Sequence, residues 1–170
     1  NKMSHYYTDE INTLVLVSLL KEHNIRKIIA SPGTTNISFV GSVQFDPYFE
    51  VYSAVDERAA AFMACGLAEE SGEPVVLTCT GATASRNYIP GLTEAYYRHL
   101  PVLAVTSTQH TGRVGNYVAQ VIDRSEQFPD MVKKSIQLPT VYSEEDKQHT
   151  VTAVNDALLE LTYGNAGPVH

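Results

Sequence analysis

Residues 74–83 read PVVLTCTGAT, and this stretch decides the fold. From Pro74 to Thr80 nearly every position is apolar, so the segment has no polar face to turn toward water. That is the pattern of a strand covered on both sides, as in a parallel sheet flanked by helices. Gly81 ends the run, and a helix is expected from Thr83 to His99. The same succession recurs on either side. Upstream, Lys27 to Ala30 is a short apolar strand closed by Ser31-Pro32-Gly33, and a helix is plausible over Asn36 to Gln44 before Asp46-Pro47. Phe49 to Val55 reads as a strand, followed by an Ala-rich helix from Asp56 to Ser71 that stops at Gly72. At the start, Thr8 precedes the stripe Ile11, Leu14, Val15, Ser18 and Leu19, the spacing of an amphipathic helix ending near Asn24.

Downstream, Val102 to Thr106 is a strand and Ser107 to Asn116 is polar and Gly-containing. A less regular segment reaches Lys134, and Ser135 to Leu138 reads as a further strand. Ser143 to Tyr163 is the last helix, and Gly167 to His170 resembles the opening of one more strand. Strands alternating with helices predict an α/β fold. The expected form is a doubly wound, mainly parallel sheet of about six strands, a flavodoxin-like three-layer sandwich with right-handed crossovers. A chain of 170 residues makes one domain, 1–170, with no linker or repeat inside it.

Composition narrows the function. Apolar residues are 44% and charged residues 18%, an ordered globular composition. Twelve Lys and Arg face 19 Asp and Glu, a formal charge of -7, and Lys133-Lys134 is the nearest approach to a basic cluster. A nucleic-acid surface needs a concentrated positive stripe, so none is expected. No run approaches the roughly 18 apolar residues of a membrane span, and Asn1 to Glu10 lacks the pattern of a secretory leader. Cys65 and Cys79 sit in apolar surroundings without a metal-ligand spacing and read as buried, reduced thiols. The expectation is a soluble cytoplasmic protein.

In a doubly wound sheet, ligands bind beyond the carboxyl ends of the strands. Four loops qualify: Ser31-Pro32-Gly33-Thr34, Val55-Asp56-Glu57, Thr80-Gly81-Ala82-Thr83, and Thr106 to Gln109. None carries a phosphate-loop, dinucleotide or nucleophile-elbow motif, and the six histidines share no metal spacing, so no metal site is expected on this chain. Glu57 has two readings. An acid in a first helical turn complements the helix dipole and caps free amides. A carboxylate held in partly dry surroundings at the ligand edge also gains proton affinity, which suits proton exchange near neutral pH. Gly33 and Gly81 divide the same way, between turn geometry and a bare backbone surface that a flat ring can approach.

Taken together, the segments Ser31-Pro32-Gly33, Asp56-Glu57-Arg58-Ala59-Ala60, Cys79-Thr80-Gly81-Ala82-Thr83 with Asn87-Tyr88, Glu94-Ala95-Tyr96, and Leu100-Pro101-Val102 resemble the N-terminal pyrimidine-binding domain of thiamine diphosphate enzymes. The likeness runs from Thr8 to Gly167-Pro168-Val169-His170. Within the family the pattern is similar to the acetolactate synthase-like group. It is more similar still to the menaquinone-pathway synthase that adds a succinyl-semialdehyde unit from 2-oxoglutarate to isochorismate. The stretch from Gln120-Val121-Ile122-Asp123 to Ser135-Ile136-Gln137-Leu138-Pro139 shares this likeness. Two departures stand out: the arginines which that synthase carries in the first and fourth loops are Thr35 and Gln109 here. Losing two bidentate carboxylate forks is not conservative, so a related decarboxylase or carboligase with a different substrate is expected.

The resemblance implies roles. Glu57 is placed to hydrogen-bond N1' of the aminopyrimidine and share its proton, which readies the 4' nitrogen to deprotonate C2 of the thiazolium. Pro32, Gly33, Thr80 and Gly81 are implied to border the pyrimidine, with Asn87 near the cofactor and Gln120 near the substrate. The diphosphate and its Mg2+ are implied to be held by a second domain with a G-D-G motif, which this sequence lacks. The chain is therefore expected to be part of a longer enzyme, inactive alone, in a homodimer or higher oligomer acting on a 2-oxoacid. The alternatives are a small subunit of a two-subunit oxoacid decarboxylase, or a non-catalytic flavodoxin-like binding module in which Glu57 is only a helix cap.

Overall fold

A computed structural model describes residues 7–81 and 83–170. Four strands form one parallel sheet in the order β2-β1-β3-β4. They are β1 (Lys27–Ala30), β2 (Glu50–Ser53), β3 (Val75–Cys79) and β4 (Val102–Thr106). The helices are α1 (Ile11–Glu22), α2 (Ile37–Gln44), α3 (Glu57–Ser71), α4 (Thr83–Arg86), α5 (Ile89–Tyr97) and α6 (Glu144–Glu160).

The apolar runs divide between two faces because successive strand residues point to opposite sides. Ile29, Val75, Leu77, Cys79, Val102 and Ala104 pack with α3 and α5. Ile28, Val76 and Leu103 pack with α1, α2 and α6. The sheet is thus the middle of three layers. All five residues of β3 are buried, as its sequence demands. Each large aliphatic side chain fully removed from water here contributes about 1.5–3 kcal/mol, so the central strands carry much of the stability.

Local chemistry sets the helix ends. Asp56 caps α3, its carboxylate accepting from the Ala59 amide at 2.7 Å. Gly72 closes that helix in the left-handed region, φ 67°. Ser143 opens α6 with a capping box, Ser143 accepting from the Asp146 amide and Asp146 accepting from the Ser143 amide. Lys133 Nζ donates to the Glu160, Tyr163 and Asn165 carbonyls beyond the other end of α6. The Lys133-Lys134 pair is therefore partly a helix C-terminal clamp, where the dipole favours a cation.

The structure corrects two expectations. The sheet has four strands rather than about six. Gly167–His170 contributes only single parallel bridges, from Val169 to Leu103 and to Lys134, and Ser135–Leu138 forms neither strand nor bridge. The expected helix from Thr83 to His99 is two helices, α4 and α5, parted at Asn87-Tyr88. Pro90 cannot donate to the Arg86 carbonyl and its ring crowds that oxygen, so the helix breaks and restarts there, and the Tyr88 ring at the break is buried in the α3–α5 face at 1% exposure. The first helix begins at Ile11, where its apolar stripe starts, and Thr8 is buried ahead of it, its amide donating to Ser42 Oγ at 3.0 Å. Ala82 of the third predicted loop lies outside the described residues, as do residues 1–6. No helix among the described residues is long and apolar enough to cross a membrane.

Candidate functional site

Register brings the strand ends level. Ala30 pairs with Ser53 on one side and with Thr78 on the other, and Cys79 pairs with Thr106. All four loops singled out in the sequence therefore leave the same edge. Between β1 and β3 the chain changes direction of winding, the place where doubly wound folds open a crevice. Hydrogen bonds lock the edge. Ser31 Oγ donates to the Ala54 carbonyl at 2.6 Å, Asn36 Nδ2 donates to the Ser31 carbonyl at 3.1 Å, and the Thr35 and Ser107 hydroxyls lie 2.7 Å apart.

A crevice of about 230 Å³ opens there, and Pro32, Gly33, Thr80, Gly81 and Gln120 all line it. Five of the seven predicted site residues are thus brought together from three distant segments. Neither glycine sits at positive φ, so turn geometry is not what they supply. Space is the requirement. A Cβ on Gly33 would fall 2.0 Å from Thr80 Cγ2, and one on Gly81 would fall 2.4 Å from the Ser107 carbonyl oxygen. Gln120 is exposed and holds a left-handed backbone, φ 61°.

Glu57 and Asn87 lie outside the lining of that crevice. Asn87 is exposed, and its Nδ2 donates back to the Thr83 carbonyl at 3.2 Å. Glu57 is half-buried at the head of α3. The capping role open to it in the sequence belongs to Asp56. Among the described residues the Glu57 carboxylate forms no hydrogen bond or ion pair, and its neighbours are buried. Burial, the largest cause, pushes the Cys79 thiol up to about 12, and the Glu57 charge adds to the rise. The Tyr88 hydroxyl is pushed up in the same way, by burial first and then by Cys79 and Glu57. That hydroxyl is fully buried and closes no hydrogen bond of good geometry, because the Cys79 thiol donates to the Thr80 carbonyl and Ser31 donates to Ala54. A free carboxylate beside a dry, unsatisfied phenol at the ligand edge is suited to hold one proton-bearing nitrogen of a ring.

Sequence reasoning missed Arg124 and His170. Arg124 donates to Thr106 Oγ1 and to the Ser107 carbonyl, both at 2.7 Å. The His170 ring lies 2.7 Å from Thr106 Oγ1 and 2.9 Å from Ser135 Oγ. Burial, with the Arg124 charge behind it, pushes the His170 imidazole down to about 4, so it is neutral at pH 7. These partners lie 17 or more positions away in the chain, and nothing local in the sequence announces them. Both cysteines are free and buried, as expected.

Fold and site together define an α/β domain with a ligand crevice at the winding switch and a spare carboxylate beside it. The profile of the thiamine pyrophosphate enzyme N-terminal TPP binding domain matches residues 13–127. The chain belongs to this family. It is 37% identical over 164 residues to the 2-succinyl-5-enolpyruvyl-6-hydroxy-3-cyclohexene-1-carboxylate synthase of Bacteroides thetaiotaomicron, covering 96% of this chain and 30% of that one. The enzyme of the same description from Porphyromonas gingivalis is 34% identical over 169 residues, 99% of this chain and 29% of its own. Among solved structures, the thiamine diphosphate-dependent 4-hydroxybenzoylformate decarboxylase of Rhodococcus jostii superposes with a TM-score of 0.76 at 23% identity, over 93% of this chain and 29% of that one. The last likeness establishes the fold. The chain spans about 30% of the length of these relatives.

Proposed function

We propose that this chain is the pyrimidine half-site of a thiamine diphosphate-dependent 2-oxoacid decarboxylase or carboligase, with Glu57 activating the cofactor through N1'. The observation that carries the reading is the division of labour at the head of α3. Asp56 satisfies the helix end and leaves the Glu57 carboxylate uncommitted at the ligand edge. Thiamine diphosphate, when bound, supplies an electron sink that lets a 2-oxoacid lose carbon dioxide or join a second carbonyl.

The chain's own residues have simpler tasks. Glu57 accepts a hydrogen bond from a ring nitrogen and exchanges its proton, helped by half-burial that keeps water from competing. Pro32, Gly33, Thr80 and Gly81 offer a side-chain-poor floor against which a flat ring rests. Gln120 stands at the rim toward whatever completes the site, and Asn87, outside the crevice and bonded back to the Thr83 carbonyl, reaches the cofactor only by releasing that bond. The diphosphate and a Mg2+ ion are held by a domain outside this chain, in the same or a partner subunit of a homodimer or larger assembly. The ion's ligands are assigned to that domain because the sequence here carries no G-D-G motif. The synthase name of the relatives and the buried, reduced cysteines support a cytoplasmic carboligase.

Calorimetric titration of thiamine diphosphate with magnesium into the intact protein tests the reading. A saturable heat of binding is expected. A folded protein that gives no heat would instead mark the domain as an inert module.

A further inference from the structure

The crevice between β1 and β3 contains one formal charge. Every residue lining it is apolar or neutral and polar except Arg124, and no acid is among them. The guanidinium is half-buried, and burial is the first cause holding its pKa below the usual arginine range, with the like charge of Arg86 acting in the same direction. Among the described residues no carboxylate pairs with it. Its two bonds go to neutral acceptors, Thr106 Oγ1 and the Ser107 carbonyl. A guanidinium carries five N–H donors in a fixed fork, so those two bonds leave donors over. An unpaired charge taken out of water is costly, and proteins keep one where something of opposite sign arrives to meet it.

The position is also selective. Arg124 Nη2 lies 3.2 Å from where a Cβ on Gly81 would stand, so the fork presses against the bare backbone at the switch point. Thr35, Gln109 and Gln120 share the crevice and offer hydrogen bonds without charge. We propose that Arg124 is the anion-recognising side chain of this crevice and that the ligand it takes is a small carboxylate-bearing substrate of the cofactor site proposed above. At about 230 Å³ the space admits a short aliphatic carboxylate or one arm of a larger acid.

Succinate, a dicarboxylate that cannot react, and its neutral diamide serve as probes, titrated calorimetrically into the intact protein with and without thiamine diphosphate and magnesium. The parent protein is expected to bind succinate and to ignore succinamide. Arg124→Gln is expected to weaken succinate about 10- to 100-fold while leaving cofactor affinity unchanged, the loss of one charge-assisted, bidentate contact. Arg124→Lys, which keeps the charge and loses the fork, should fall between. Thr35→Asp alters an exposed position on the same crevice and needs no change at Arg124. Its new carboxylate is expected to occupy the guanidinium and abolish succinate binding. Undiminished succinate binding in Arg124→Gln or in Thr35→Asp overturns the proposal, as does a parent that binds succinamide equally or succinate not at all. A parent that binds succinate but no thiamine diphosphate sinks the cofactor reading and leaves the anion site standing.

Discussion

Glu57→Gln is expected to lower the turnover of the intact enzyme by about 10²- to 10⁴-fold, the usual worth of a positioned proton-transfer group. The amide has the shape of the carboxylate and can still reach a ring nitrogen, but it cannot take and return a proton. Its neighbour supplies the control. Asp56→Ala removes the α3 cap, a loss of about 1 kcal/mol in stability, and is expected to leave most of the turnover. The two adjacent acids should therefore separate cleanly, one costing activity without melting temperature and the other the reverse. Turnover in Glu57→Gln equal to that of the parent would contradict the catalytic role. A melting temperature that falls with Glu57→Gln would return Glu57 to the helix-capping role.

Gly33→Ala is expected to be far more damaging than its single methyl suggests. The backbone there is extended, with φ -171°, so an alanine meets no conformational objection. The obstacle is Thr80, whose Cγ2 would lie 2.0 Å from the new atom. Threonine is β-branched and stiff about χ1, so the loops after β1 and β3 must move apart. Overpacking of this kind costs about 1–3 kcal/mol, and it falls on the two loops that form the crevice floor. Cofactor affinity in the intact protein is expected to drop about 5- to 150-fold, since 1.4 kcal/mol is a factor of ten, and the melting temperature by several degrees. Thr80→Ser deletes the offending methyl and leaves the next atom, Cβ, 3.4 Å away, an ordinary contact. The double variant should recover most of both losses. A cycle without coupling between the two positions would show that the clash is relieved elsewhere.

What the sequence made legible follows from how locally each feature is encoded. The buried strand β3, the stop of α3 at Gly72 and the start of the last helix near Ser143 each rest on a few adjacent residues, and each stands where its pattern placed it. The crevice was legible at one remove. Parallel strands end at one edge, so Pro32, Gly33, Thr80 and Gly81 were bound to meet. Why the glycines are needed was not legible, because the answer lies in a contact between loops 47 positions apart. The break at Asn87-Tyr88 does have a local signal, Pro90, which outweighs the helical periodicity on either side. Pro90 has no amide to donate to Arg86 and its ring crowds that carbonyl, so α5 starts afresh beside it and Tyr88 is buried against α3 and β3. The outer strands failed as sequence assignments because Val169 and Lys134 pair through single bridges, and an apolar residue or two cannot announce a strand that short. Arg124 sits in a stretch without periodicity, and its significance depends on no carboxylate among the described residues pairing with it, although Asp123 and Glu126 flank it in the chain.

The central claim concerns where one carboxylate points when the site is whole. A crystal structure of the intact protein with thiamine diphosphate bound measures this directly. The expected result is a Glu57 carboxylate oxygen about 2.6–3.0 Å from N1' of the aminopyrimidine, the length of a charge-assisted hydrogen bond. A Glu57 side chain paired with some other group of the protein, with N1' facing solvent or a different residue, would contradict it.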